Sequence, residues 1–266
     1  MSPSPLRASV GPMCGRYAFS ADADTLVDEF GIDEVEADLP GPSWNIAPTD
    51  EVPVVLERHR QERDKQDRDT DEATVRRLRP LHWGLVPSWA RDTGIGSRMI
   101  NARVETVREK PAYRRAFGQR RCLLPADGFY EWYDTGERTS RGKPVKQPYF
   151  IRRTDTDVMA MAGLYEYWRD GSDGEWYLSC TVITTEAIDD VGRLHDRMPV
   201  VLGRELWDRW LDPARTDPDA TWDLLQDGLP GAGTGEPWHA YPVSRDVGSV
   251  RNNGPHLIDP IEIGGN

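Results

Sequence analysis

The sequence predicts a single α+β domain built on a curved, mostly antiparallel sheet. Three observations lead there. Short runs of alternating apolar and polar residues, bounded by Gly, Pro, Asn and Asp, recur along the chain, as strands and hairpins do. Helical patterns are scattered among them, without the regular β-α-β alternation of a parallel sheet. The 266 residues give ample core, and no stretch has the composition of a linker between two domains.

The elements follow in order. Residues 1–12, MSPSPLRASVGP, are rich in Ser and Pro and lack the apolar segment of a secretory signal. They are expected to be a disordered or non-native extension, with the domain spanning 13–260. A helix is expected over 22–30, where Ala, Leu, Val and Phe recur at helical spacing after Ser20 and Asp22. The stretch LPGPSWNIAPTD has too many prolines for a regular element and reads as loop. Residues 51–57 and 75–83 read as paired strands, and the charged segment 58–74 between them as a mobile excursion. A loop over 85–98 and a short helix over 110–118 come next. Strands are expected over 121–133 and 147–153, and a hairpin over 158–169 and 175–184 around RDGSDGE. Helices are expected over 186–194, 202–211 and 221–227, with a flexible loop over 231–236.

Composition narrows the function. A net charge of −12 counts against a nonspecific polyanion binder. Residues 101–121 nevertheless carry seven Arg or Lys against two Glu, a local balance of +5. That stripe fits either a solvated helix face or a phosphate-holding surface. Three cysteines without a CxxC pair count against a disulfide framework and a zinc finger, and fit a reducing cytoplasm. Cys122 and Cys180 lie in apolar strand-like runs and read as core. Cys14, beside Gly15 and Arg16, does not. No apolar run approaches the length that spans a bilayer, so no membrane partner is expected.

No phosphate-binding loop, dinucleotide fingerprint or metalloprotease motif is present. A scattered set of polar groups stands out instead: Cys14 in MCGRY, Asn45 in WNIAPT, Asn101 and Arg103 in INARVET, Glu131 in DGFYEW, and His195 with Arg197 in LHDRMP. Each alone has a plain structural reading. Asn before Ala-Pro suits a turn, a Glu between Tyr and Trp can face solvent, and His-Asp can flank a helix end.

Together, in order, MCGRY, WNIAPT, WGLVPSWA, NARVET, CLLPADGFYEW, VITTEA, HDRMPV and YPVSRDVGSVRNNG resemble the SRAP family of SOS response-associated peptidases, understood as abasic site processing proteins. The resemblance runs from Met13 to about Leu257. It implies a twisted, barrel-like β core with peripheral helices. It implies covalent capture of abasic sites in single-stranded DNA, with Cys14, Asn101, Glu131 and His195 catalytic. Arg16, Arg103 and Arg197 would hold phosphates, Asn45 and Pro48 would line the pocket, and Trp89 would stand near the DNA path. No metal or organic cofactor is implied, and a monomer that meets the nucleoid only when bound to DNA is expected.

The chemistry requires an N-terminal cysteine. Its amine attacks the aldehyde of the opened abasic sugar to give a Schiff base, and its thiol then closes a five-membered thiazolidine. An α-amino group titrates near 7.7–8.0, so a neutral fraction exists at pH 7, whereas a lysine near 10.4 stays protonated. In this sequence thirteen residues precede Cys14, so translation from Met13 with loss of that Met, or cleavage after it, is expected. Two other readings stay open: a cysteine peptidase using Cys14, His195 and Asn101, for which removal of the leading residues would be one use, and a noncatalytic reader of modified DNA. A lyase side reaction is compatible with the first.

Overall fold

The structure, a computed structural model, describes residues 14–59, 74–171, 174–230 and 237–263, with only the backbone at 189 and 190. The expectations for 1–12 and 231–236, and for most of 58–74, fall outside these residues.

The chain opens with β1 (Tyr17–Phe19) and α1 (Ala23–Phe30). Asp22 caps α1 by accepting from Thr25 N–H, and Gly31 ends it at φ 62, a left-handed conformation that costs a residue without Cβ little. Then come β2 (Glu34–Val35), β3 (Ser43–Ile46), β4 (Glu51–His59), β5 (Thr74–Trp83), β6 (Asn101–Arg103) and α2 (Arg114–Gln119). The middle of the chain is almost all strand: β7 (Arg121–Ala126), β8 (Gly128–Arg138), β9 (Pro144–Arg153), β10 (Met159–Trp168) and β11 (Tyr177–Glu186). It ends with α3 (Asp189–Leu194), β12 (Arg197–Pro199), α4 (Arg204–Leu211), α5 (Pro218–Asp227) and β13 (Trp238–Pro242).

These strands form two sheets, ordered β13-β9-β8-β1-β3 and β12-β11-β10-β7-β4-β5-β2. Most neighbours are antiparallel. The exceptions are β2–β5, β11–β6 and β11–β5. The last pairing, Ser179↔His82 and Cys180↔Trp83, curls the larger sheet back on itself into a barrel-like core. Its interior is filled by side chains such as Trp83, Tyr17 and Leu56, with Cys122 and Cys180 fully buried among them. Among the described residues no helix is long and apolar enough to cross a membrane.

Two sequence expectations need correction. The Pro-rich stretch after α1 contains β3, a four-residue strand that pairs with β1 through Tyr17↔Ile46 and Phe19↔Ser43. Pro40, Pro42 and Pro48 all lie outside the strand, and an edge position tolerates their proximity. The run over 121–133 is two strands on different sheets, broken at Asp127, whose N–H donates to Ala18 O at 2.8 Å. Gly128 permits the crossing: a Cβ there would stand 2.4 Å from Phe150 Cζ. Continuous β propensity could not reveal that tertiary break. The basic stripe also loses members. Arg121 is buried, donating to the carbonyls of Trp210, Phe117 and Asp212, and Arg120 pairs with Glu166 at 2.7 Å. Arg103, Arg108, Lys110, Arg114 and Arg115 remain exposed.

Candidate active site

The short strand β1 brings Cys14 to Glu131. It runs antiparallel to β8 with Tyr17 opposite Phe129, and Tyr130 N–H donates to Arg16 O at 3.0 Å. Extending that ladder outward lays Cys14 against the Glu131–Trp132 stretch. Cys14 N–H donates to Glu131 Oε1 at 2.8 Å. Both residues are buried, at 5 % and 3 % exposure. Cys14 also holds φ at 39, one of few non-glycine residues in left-handed backbone.

Burial dominates the electrostatics of the pair. Desolvation raises the Glu131 carboxyl above the usual carboxylate range, against the opposing pull of His195 and of hydrogen bonds from Cys14. Desolvation, then the adjacent Glu131 carboxylate, pushes the Cys14 thiol well above its ordinary value. This thiol is therefore neutral at pH 7.

His195 caps the end of α3, a helix that packs against β8. Its Nδ1 accepts from Arg197 N–H at 3.1 Å and lies 2.9 Å from Asp196 Oδ1. In the neutral ring that accepts at Nδ1, and in the imidazolium, Nε2 carries a hydrogen. Nε2 is buried, and among the described residues it has no hydrogen-bond partner. An unmet buried polar group costs about 1–3 kcal/mol, which suits a site that a substrate completes. Asn101 enters from β6, held where β6 pairs with β11 as Asn101↔Val182, and Tyr113 Oη donates to Asn101 O at 3.2 Å.

The arginines divide by exposure. Arg197 is buried, forks onto both Glu105 oxygens and donates to Thr184 O at 2.6 Å. Glu105 is half exposed; its carboxyl is partly desolvated, yet Arg197 and then Arg103 hold it below its usual range. Arg16 donates to Asn45 Oδ1 at 2.6 Å and to Val247 O at 3.0 Å, and lies 5.9 Å above the Trp132 ring. Arg103 is exposed, as is Trp89 at 60 %; Pro48 is half-buried.

Asn45 is a clamp. Its amide donates to the carbonyls of Val247, Ser249 and Asn252, and its oxygen accepts from Arg16. It fastens the segment WNIAPT to VGSVRNNG, more than two hundred residues apart. Asn45→Ala is expected to strand these partners and cost about 3 kcal/mol, or roughly 6–12 °C in Tm for a chain of this size. Thermal melting checks this; an unchanged Tm would make the clamp unimportant. Sequence reasoning missed Glu105, Asp196 and Trp132. Glu105 lies within INARVET, but nothing in the sequence joins it to Arg197.

The sequence matches the SOS response associated peptidase (SRAP) family over residues 13–250. The chain belongs to the SRAP family. Similar members include the abasic site processing protein YoqW of Bacillus subtilis, 37 % identical over 93 % of this chain and 99 % of that protein. The abasic site processing protein HMCES of Gallus gallus is 33 % identical over 84 % of this chain and 67 % of its own length. Among solved structures, a Bacteroides thetaiotaomicron protein covers 94 % of this chain and 100 % of its own, with TM-score 0.71 and 24 % identity, a likeness of fold. A phage-related protein of Bordetella bronchiseptica reaches TM-score 0.61 at 31 % identity, covering 87 % of this chain and 95 % of its own. Every SRAP motif from MCGRY to HDRMPV lies within the matched residues.

Proposed function

We propose that this SRAP protein captures abasic sites in single-stranded DNA covalently, through the amine and thiol of Cys14 once Cys14 is N-terminal. The observation that carries the reading is the contact between Cys14 N and the buried Glu131 carboxyl, which feels the charge of His195, a residue whose buried Nε2 has no partner among the described residues. The names of the relatives support the substrate class.

The steps follow from these positions. The Cys14 amine adds to the aldehyde carbon of the opened sugar. Glu131 takes a proton from that nitrogen and returns it to the departing hydroxyl, so water leaves and a Schiff base forms. The neutral thiol then adds across the C=N bond, its proton passing through Glu131 to the nitrogen, and the ring closes. The covalent tether gives the thiol a high effective concentration. Nε2–H of His195 donates to the ring oxygen of the closed sugar and eases its opening. Asn101 orients the sugar by neutral hydrogen bonds. Arg103 meets a flanking phosphate from the surface. Arg197 and Arg16 contribute by their placement: Arg197 can meet a phosphate only by exchanging Glu105 for it, and Arg16 holds Asn45. A cysteine peptidase needs an accessible thiolate beside a base; here the thiol is held neutral, and among the described residues no hydrogen bond joins its sulfur to His195.

Intact mass spectrometry before and after exposure to an abasic single strand tests the reading. The expected product is one adduct stable to denaturation, the mass of protein plus strand less one water. No adduct from protein that begins at Cys14 sinks it.

Glu131→Gln is expected to slow adduct formation about 10²–10⁴-fold, the usual range for a positioned acid–base group, and His195→Ala to slow it less, both with little loss of DNA affinity. Glu131→Gln should also stabilise the fold at neutral pH. Because the folded carboxyl titrates above its unfolded value, its stability contribution is present at acid pH and lost as pH rises through the folded pKa. The Gln variant should therefore melt above wild type at pH 7, with the gap closing toward about pH 4, near the unfolded pKa of Glu. Wild-type kinetics in both variants would overturn these roles.

A further inference from the structure

A cavity of about 750 Å³ lies between the tip of the β10–β11 hairpin, strands β4 and β5, and α2. Five arginines line it: Arg58, Arg79, Arg115, Arg120 and Arg169. Glu166 neutralises Arg120 at 2.7 Å and Glu36 neutralises Arg79 at 2.6 Å. Five guanidiniums against two carboxylates leave +3 in a chain whose net charge is −12. Arg58 is spent on a neutral partner, donating to Tyr167 Oη at 2.5 Å. Among the described residues no carboxylate pairs with Arg58, Arg115 or Arg169.

The cavity also presents ring faces. Trp176 is 58 % exposed, with the Arg169 guanidinium 4.7 Å from its ring centre and Tyr167 edge-on at 6.0 Å. An exposed ring among unpaired guanidiniums is what a stacked base with flanking phosphates needs. The cavity is joined to the Cys14 site. Trp168 Nε1 donates to Ala90 O at 2.8 Å, anchoring the loop that carries exposed Trp89, Arg91 and Arg98 and then continues into Asn101 and Arg103. Along β11, Leu178 lines the cavity and Thr184 holds Arg197. Six residues of strand span about 20 Å, the length of about six nucleotides at the per-strand spacing of B-form DNA.

We infer that this cavity is a second contact for the DNA strand held at Cys14, taking phosphates on Arg115 and Arg169 and a base on Trp176. It rests on the reading that the substrate is single-stranded DNA, and it gives a strongly acidic protein a local means of holding a polyanion. The contact makes affinity depend on strand length: a strand of about three nucleotides around the lesion cannot reach both places, and one of about fifteen can.

Fluorescence anisotropy with undamaged single strands of about fifteen and about three nucleotides tests this, using wild type, Trp176→Ala and the double variant Arg115→Glu/Arg169→Glu. All three side chains are at the surface, and melting curves check the fold. Trp176→Ala should weaken the long strand about 5- to 150-fold, the equivalent of one lost stacking contact. The double variant should lower the salt slope of long-strand binding by about two. Neither should change the short strand. Unchanged long-strand affinity and salt slope would overturn the contact, and so would equal losses on both lengths, which would mark a general charge effect. Because undamaged DNA is used, the outcome does not depend on capture. Length-dependent binding without any adduct on abasic strands would sink the Cys14 chemistry and leave this contact standing.

Discussion

Cys14→Ala is expected to abolish the adduct that survives heat and denaturant, while noncovalent binding of single strands persists. The amine of an N-terminal Ala can still form a Schiff base, but that species hydrolyses. The thiol alone, on the carbon next to the one that bears the nitrogen, converts it to a five-membered ring, and tethering of this kind is worth an effective concentration of about 10⁵ M or more. Cys14→Ser keeps both amine and shape but offers a far weaker nucleophile, so its product should be trapped by borohydride and lost without it. The thiol's neutral state fits this division of labour, since it acts second, on the C=N bond of a Schiff base already formed, and gives up its proton as the ring closes. Gel analysis of heated reactions, with and without borohydride, reads both variants. An Ala variant that forms a heat-stable adduct without reductant would end the thiazolidine mechanism.

The protein kept intact from Met1 is expected to bind single strands and form no stable adduct. In that form the Cys14 nitrogen is an amide, with no lone pair free to attack a carbonyl. The structure makes the change from amide to amine easy to accommodate. The nitrogen already faces Glu131 at 2.8 Å. The left-handed φ of 39 at Cys14 exists only while residue 13 is attached, and such backbone costs a non-glycine residue about 1–2 kcal/mol. Exposing the amine is expected to remove that strain while the nitrogen keeps its place facing Glu131. N-terminal sequencing of protein from its own host should find Cys14 first. Crosslinking by the intact form, with its leading residues still present in the adduct, would show that another group is the nucleophile.

Much of the fold was legible because it rests on local chemistry. The helical spacing after Asp22 marked α1, whose first turn Asp22 caps, and the alternation over 51–57 with its partner run over 75–83 gave β4 and β5. The hairpin of β10 and β11 followed from two β-rich runs around a polar turn. The elements that escaped notice are short, five residues at most, and among them β1, β6 and β12 have three residues each. They have no periodicity of their own and exist because a longer strand offers them hydrogen bonds. These three short strands carry or flank Cys14, Asn101 and Arg197.

The sequence alone therefore determined the family, the approximate elements and the candidates for the reactive groups, since ordered motifs and capping residues are written locally. The tertiary structure decided what each group can do. Glu131 reads in sequence as a residue able to face solvent; pairing of β8 with β1 buries it against Cys14, and desolvation raises its pKa. Arg197 and Arg103 read alike, yet one is buried on Glu105 and the other is exposed. Asn45 reads as a turn residue and is a clamp across the chain. The arginines around Trp176, scattered from Arg58 to Arg169, become one cavity only when five elements converge. Burial and long-range pairing set charge state, reach and rigidity, and both depend on contacts between residues that one-dimensional spacing does not encode.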